Sequence, residues 1–320
     1  MTNNKKQADI KLLEFNEDLL SNAKGIQNQG NTCYLNSLVQ CLLSCTSVYE
    51  TLNSIINKPG VSNNELLSSL YNLYEASMVS NNDITRNVIM FWRCLIQVSN
   101  KRNDHVLMRM GAQEDAHEGL MMFLDSIEHV PELRILFEHR YRTQILCTNC
   151  REYVVDRSDT NTTFDIQQDL MTEQTSEFED IDPTYGKSMH INDFLKKQNG
   201  FVEDYKCPQC GDKQKKFKII TLTMVPEILP ILTKKYQRKT ITNFPIELYF
   251  VSADKRYKYI YKLIAQSEHS GNAHGGHYWA KALRSDGWYI LNDSSIQQCT
   301  PSPTNETYII FYHYFGKVEI

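Results

Sequence analysis

The chain has 320 residues, 41% of them apolar and 22% charged, with a formal net charge of −4. That balance suits a soluble globular chain with a sizeable core, in one large domain or two ordinary ones, and offers no basic field for nucleic acid. The longest apolar runs, such as residues 308–312, are far short of the ~20 residues that cross a bilayer, and MTNNKKQADIKLLEF lacks the apolar stretch of a secretory signal.

Residues 1–24 are polar apart from an amphipathic patch over 10–20, and read as a tail or a loosely docked helix. A glycine-containing polar run follows and gives way to an apolar pattern at Tyr34, Leu35, Leu38, Val39, Leu42 and Leu43. This is the rhythm of one helical face, predicted to run from Cys33 to about Cys45 with Asn31 or Thr32 as its N-cap. Cys33 then sits in the first turn, where unpaired amides and the positive end of the helix dipole favour a nucleophilic thiolate. Asn28, in a loop bent by Gly30, is placed to aim an amide at a developing oxyanion. Cys41 and Cys45 have helical i, i+4 spacing, which could suit a metal but fits core filling better.

Pro59-Gly60 breaks the chain before two more helical patterns, residues 65–78 and a segment opened by Asp83 that buries Val88, Phe91, Trp92, Leu95 and Ile96. A further helix is predicted in GAQEDAHEGLMMFLDSIE, with a stripe of Ala116, Leu120, Phe123, Leu124 and Ile127 and with Glu114 and Asp115 in its first turn. From about Phe137 alternating strand patterns take over, at 141–146, 152–157 and 164–166. Two knuckles frame this region, Cys147-Thr-Asn-Cys150 and Cys207-Pro-Gln-Cys210. Four thiolates in two such pairs predict a closed, structural zinc site. Metal-ligand spacing among nine cysteines, an odd number, predicts a reducing compartment, the cytosol or nucleus of a eukaryotic cell. Between the knuckles lie an acidic insert, 173–182, and a short predicted helix, 191–198.

The last third reads as strands, at 217–224, 228–233, 244–251 and 258–265. His269, His274 and His277 then cluster in HSGNAHGGHYWAKALRSDGWYILNDSS, without the carboxylate or cysteine companions that a zinc site needs. A cysteine-protease base needs only one histidine. His277 opens a strand, Gly275-Gly276 lets a substrate backbone pass close by, and a hairpin turned at 285–287 brings Asn292 or Asp293 beside the His277 ring. Because successive strand residues point to opposite faces, Asn292 is expected to orient His277 and Asp293 to face away from it.

Three of these stretches resemble the boxes of the ubiquitin-specific proteases. GIQNQGNTCYLNS matches the cysteine box G-[LI]-x-N-x-G-N-T-C-[YF]-[LM]-N-S from Gly25 to Ser37. The 113–120 stretch resembles Q-Q-D-[AS]-[QH]-E-F-L, with Glu114 and Gly119 departing from it. The 275–295 stretch resembles the histidine box, and YIIFYHY the closing strand. The resemblance covers about residues 25–315. It implies a papain-like α+β fold with a helical thumb (about 25–135), zinc-stiffened β fingers (136–222) and a β palm (223–320), and it leaves no room for an appended ubiquitin receptor or second module. It also implies a thiol-dependent deubiquitinating enzyme that hydrolyses the bond after ubiquitin's C-terminal glycine. Cys33 would be the nucleophile, His277 the base, Asn292 the orienting residue with Asp293 beside it, and Asn28 with the Cys33 amide the oxyanion donors. Gln113, Asp115, Gly275 and Gly276 would line the ubiquitin tail. The alternatives are a protease for another ubiquitin-like modifier and a non-catalytic ubiquitin-binding module. The expected partners are ubiquitin and its conjugates, with no nucleic acid or membrane, and the expected state is a monomer.

Overall fold

The computed structural model describes the chain except residues 1–11, 13, 60, 81, 102–110, 168–188, 191–198, 213–214, 235–243, 253–254, 273–274 and 303. The acidic insert, the helix predicted over 191–198 and His274 lie outside the described residues.

Six helices come first: α1 (Cys33–Leu42), α2 (Thr46–Ile55), α3 (Glu65–Met78), α4 (Thr85–Lys101), α5 (Ala116–Ser126) and α6 (Pro131–Phe137). The long helix expected from Cys33 to Cys45 stops at Leu42, and a second helix starts at Thr46. No glycine or proline marks the break. A tightened turn makes it, with Ser44 N–H on the Cys41 carbonyl and Cys45 N–H on that of Leu42, while Tyr74 Oη donates to the carbonyls of Leu42 (2.5 Å) and Cys45 (3.3 Å). A buried tertiary hydroxyl thus satisfies carbonyls that the helix end releases. The short α6 opens with Pro131 as its first residue, a position that needs no N–H. Among the described residues of the N-terminal amphipathic patch one 3₁₀ turn forms, Glu17–Leu19.

Helix α1 is buried along its whole length, including the polar Asn36, Ser37 and Gln40. Each polar side chain has a partner, as buried donors and acceptors must. Ser37 Oγ donates to the Trp279 carbonyl at 2.9 Å, and Gln40 Nε2 donates to the Lys24 carbonyl at 2.7 Å. The strands these groups reach belong to a nine-stranded sheet: β12 (Ser295–Cys299), β11 (Gly287–Asn292), β10 (Gly275–Arg284), β9 (Tyr257–Asn272), β13 (Thr307–Glu319), β7 (Ile228–Lys234) and β3 (Phe164–Gln167), in that order, with β8 (Glu247–Val251) on β9 and β4 (Met189–His190) on β8. One core joins the helices to one face of this sheet through residues such as Tyr34, Trp92, Phe123, Ala280 and Ile309, and a second core fills behind Tyr261 and Tyr312. Cys41, Cys45 and Cys94 are core residues.

A separate four-stranded antiparallel sheet, β2 (Tyr153–Asn161), β1 (His139–Cys147), β6 (Lys216–Met224) and β5 (Gly200–Val202), carries the two cysteine knuckles at one end. Strand β9 runs seven residues past the predicted end at 265, because it pairs with β8 over its first half and with β10 over its second. Among the described residues no helix is long and apolar enough to cross a membrane.

Candidate active site

The loop ahead of Cys33 is clamped onto the turn that follows β11. Gly25 is obligatory at this contact, since a Cβ there would lie 2.6 Å from the Ser294 carbonyl oxygen. The next residue, Ile26, donates its N–H to the Asp293 carbonyl at 2.9 Å. Gly30 and Asn31 then take left-handed backbone, φ +91° and +53°, and Thr32 caps α1 without a side-chain bond, leaving the first-turn amides unfilled by any cap. Cys33, 4% exposed, opens the helix.

Asn28 is oriented by four hydrogen bonds. Its Oδ1 accepts from the amides of Gly30 (3.0 Å) and Thr32 (3.2 Å) and from Thr32 Oγ1 (3.3 Å), which assigns the other end as the donor. Its Nδ2 donates to Asp293 Oδ2 at 3.0 Å. The second Asp293 oxygen accepts from Asn36 Nδ2 at 2.7 Å. Asp293 lies one residue beyond β11 at φ +49°. It faces away from His277 because the chain turns there, so strand alternation is not the reason.

His277 Nε2 lies 2.6 Å from Asn292 Oδ1. A carbonyl oxygen only accepts, so Nε2 carries the proton and Nδ1 is the basic nitrogen. The rings of His277 and Trp279, two apart on β10, stack with centroids 6.1 Å apart. Strand β10 lies directly against α1. Four contacts fix their relative position: Ser37 on Trp279, Ser44 Oγ on the Leu283 carbonyl at 3.1 Å, and Arg284 on both the carbonyl (2.9 Å) and Oε1 (2.6 Å) of Gln40. The helix that Cys33 opens and the strand that carries His277 are therefore pinned together along their length.

Asp115 is the N-cap of α5, with Oδ1 accepting from His117 N–H at 2.7 Å and Oδ2 accepting from Tyr308 Oη at 2.8 Å. Beside it, burial first and then the Asp115 carboxylate hold the Tyr278 phenol well above its ordinary range, with the Cys33 sulfur adding to the effect. Tyr34 is raised in the same way by burial, then by Glu114 and Cys33. Both rings are neutral walls around Cys33. Gln113 Nε2 donates to the Gly276 carbonyl at 2.5 Å, and His269 stacks on Tyr278 with centroids 4.3 Å apart.

At the end of the four-stranded sheet the sulfurs of Cys147, Cys150, Cys207 and Cys210 all lie within 4.8 Å of one another. The Cys150–Cys207 separation is 3.6 Å, close to the ~3.8 Å edge of a tetrahedron with Zn–S bonds of ~2.3 Å. Hydrogen bonds from the backbone amides of Cys150 and then Asn149 bring the Cys147 thiol down to about 7. Cys210 N–H points at Cys207 Sγ at 3.4 Å. Amides aimed at sulfur are what a knuckle supplies to thiolate ligands, so the residues fit a metal.

Asn36 and Tyr308, which hold Asp293 and Asp115, were not among the predicted site residues. Asn36 occurs in the matched cysteine box, whereas no local pattern points to Tyr308, 193 residues from its partner.

Helices on one side of a mixed sheet, a cysteine opening the buried helix and a histidine–asparagine pair on the strands beneath it define a papain-like cysteine peptidase fold. A family model described as ubiquitin carboxyl-terminal hydrolase matches residues 24–312, and the chain belongs to that family. It is 25% identical over 324 residues to ubiquitin carboxyl-terminal hydrolase 23 of Arabidopsis thaliana, covering 90% of this chain and 35% of the relative. With ubiquitin carboxyl-terminal hydrolase 8 of Saccharomyces cerevisiae it shares 22% over 347 residues, 90% of this chain and 70% of the relative. Among solved structures it superposes on the SAGA Ubp8/Sgf11/Sus1/Sgf73 module bound to ubiquitin aldehyde with a TM-score of 0.69 at 19% identity, over 95% of this chain and 71% of that one. The chain thus spans about a third of the plant relative, and 41% of a Vanderwaltozyma polyspora relative.

Proposed function

We propose that the protein is a deubiquitinating cysteine protease that hydrolyses the isopeptide or peptide bond after ubiquitin's C-terminal glycine. The observation that carries this reading is the His277–Asn292 pair on strands pinned to the helix that Cys33 opens. His277 Nδ1 takes the Cys33 thiol proton as the sulfur attacks the glycine carbonyl, and passes that proton to the leaving amine as the C–N bond breaks. Water then attacks the thioester, gives its proton to His277, and releases the free carboxylate and the Cys33 thiol. Asn292 keeps the ring in the tautomer that leaves Nδ1 basic. The second N–H of Asn28 and the Cys33 amide stabilise the oxyanion in both steps. Asp115 and the side-chain-free Gly275 and Gly276 line the approach of the tail.

Cys147, Cys150, Cys207 and Cys210 would hold one structural zinc, whose chemistry is to cross-link the end of the four-stranded sheet. All nine cysteines are free thiols, in keeping with action in the cytosol or nucleus, and the enzyme is read as a monomer with ubiquitin and its conjugates as partners. Hydrolysis of a fluorogenic ubiquitin C-terminal amide tests the reading. Turnover by the native chain and none by Cys33→Ala is expected. Labelling by probes built on another ubiquitin-like modifier, with ubiquitin refused, would instead move the activity to that modifier.

A further inference from the structure

Residues 111–113 lie just ahead of α5, on neither of the elements that carry Cys33 and His277, yet they touch both. Asn31 Nδ2, two residues before Cys33, donates to the Gly111 carbonyl at 3.0 Å. Gln113 Nε2 donates at 2.5 Å to the carbonyl of Gly276, whose peptide leads into His277. Left-handed backbone bends both sides of the first contact, with φ +53° at Asn31 and +83° at Gly111. The second contact depends on bare backbone. A Cβ on Gly275 would lie 3.4 Å from Gln113 Oε1, and one on Gly276 would lie 2.3 Å from His269 Nε2. Gly276 is thus held between Gln113 on one side and the His269 ring on the other, at the residue that delivers His277 to the cleft.

We propose that Asn31 and Gln113 are positioning residues. Together with residues 111–113 they form a strap that ties the nucleophile loop to the base strand across the mouth of the cleft, setting the separation of Cys33 and His277. The proposal rests on the reading of these two residues as nucleophile and base. The contacts at α1 noted above fix the far end of the same pair of elements, and the strap fixes the near end. A mispositioning of about 1 Å at reacting groups costs on the order of 10²-fold in rate, so two side-chain hydrogen bonds at this place are enough to matter.

The test compares Gln113→Ala, Gln113→Glu and Asn31→Gly in the full chain. Glycine suits the left-handed backbone at 31, so that variant removes the hydrogen bond without strain. Glutamate cannot donate to the Gly276 carbonyl and should be at least as damaging as alanine. Two readouts are taken: kcat and KM on fluorogenic ubiquitin, and the rate of Cys33 alkylation by chloroacetamide, a reagent too small to use ubiquitin contacts. His277→Ala sets the floor for alkylation. The strap predicts that kcat falls about ten- to hundredfold with KM little changed, that alkylation slows in step, and that melting temperatures hold. A rise in KM alone, with alkylation at the native rate, would show a substrate contact and overturn the proposal, as would native behaviour in both readouts. If the native chain fails to cleave ubiquitin, the functional reading falls, while slowed alkylation in Gln113→Ala and Asn31→Gly would still uphold the strap.

Discussion

Asn28 Nδ2 donates to Asp293 Oδ2 at 3.0 Å, while Asn292, the residue before Asp293, serves His277. Two neighbouring residues thus divide their work between the two halves of the site. The division comes from the turn at Asp293, whose left-handed φ of +49° carries its side chain to the cysteine loop.

From that division we predict that Asp293→Ala and Asn28→Ala both lower kcat, and do so through the same amide. Losing one oxyanion donor costs about 10²–10³ in kcat. Without Asp293, Asn28 keeps its Oδ1 contacts and loses only its anchor, so the single Asp293→Ala should cost less than Asn28→Ala. The double variant should be no worse than Asn28→Ala alone, since both act through one amide. Fully additive effects in steady-state kinetics would separate Asp293 from Asn28.

For the histidine half, His277→Ala should abolish turnover and Asn292→Ala should be clearly milder. Asn292 accepts one neutral hydrogen bond from Nε2, a role water can take over. Equal losses in kcat/KM for the two variants would contradict a purely orienting role.

The four knuckle cysteines should carry about one zinc per chain. Removing it with a chelator, or substituting Cys207→Ser, should lower the melting temperature and weaken ubiquitin binding. Cys33 alkylation by a small electrophile should be untouched, because Cys33 opens a helix packed on the nine-stranded sheet while the knuckles belong to the separate four-stranded one. Metal analysis of protein purified without chelators checks the count, and an absence of zinc there would rule the site out.

Local patterns made most parts of the candidate site legible. Cys33 at a helix start, the hairpin turned at 285–287 and the paired CxxC knuckles are each written within a few consecutive residues, and the elements follow them. What could not be read is what tertiary contacts decide. The break at 43–45 depends on the Tyr74 hydroxyl, 29 residues beyond Cys45. Arg284 looks like a surface strand residue at a hairpin turn, yet it is 1% exposed and is held by Gln40 and Ser44 of the catalytic helix region. Burial lowers its guanidinium to about 10, against the opposing effect of Cys41, Tyr74 and Cys45, so it stays charged at neutral pH, held by oxygens of Ser44, Leu283 and Gln40. The reach of β9 and β13 beyond their apolar runs is set by mutual pairing down to Tyr257 and Glu319. Asn292 lies against His277, and Asp293 turns away through a φ above zero that leaves no mark in sequence.

The last prediction concerns stability against acid and turns on His313. This ring is fully buried; its Nδ1 donates to the Tyr314 carbonyl at 2.7 Å, and Ser47 Oγ donates to Nε2 at 2.5 Å. The Phe15 ring packs edge-on at 5.0 Å. Burial pushes the imidazole down to about 4, outweighing the Tyr314 carbonyl, which favours the charged form. In the unfolded chain the same group titrates near ~6.5. Between those two values the unfolded chain binds a proton that the folded chain refuses. The contribution is therefore complete above about 6.5, falls as pH drops through the window, and is gone below about 4. At ~1.36 kcal/mol per unit this amounts to about 3 kcal/mol. His313→Gln keeps hydrogen-bonding capacity and cannot titrate, so it should be less stable than the native chain at pH 7.5 and close that gap by about 2.5 kcal/mol at pH 4.5. Guanidinium melts of both chains across the range measure it, and the comparison cancels the carboxylates that titrate in both. Parallel stability–pH curves would mean that His313 takes up its proton in the folded protein.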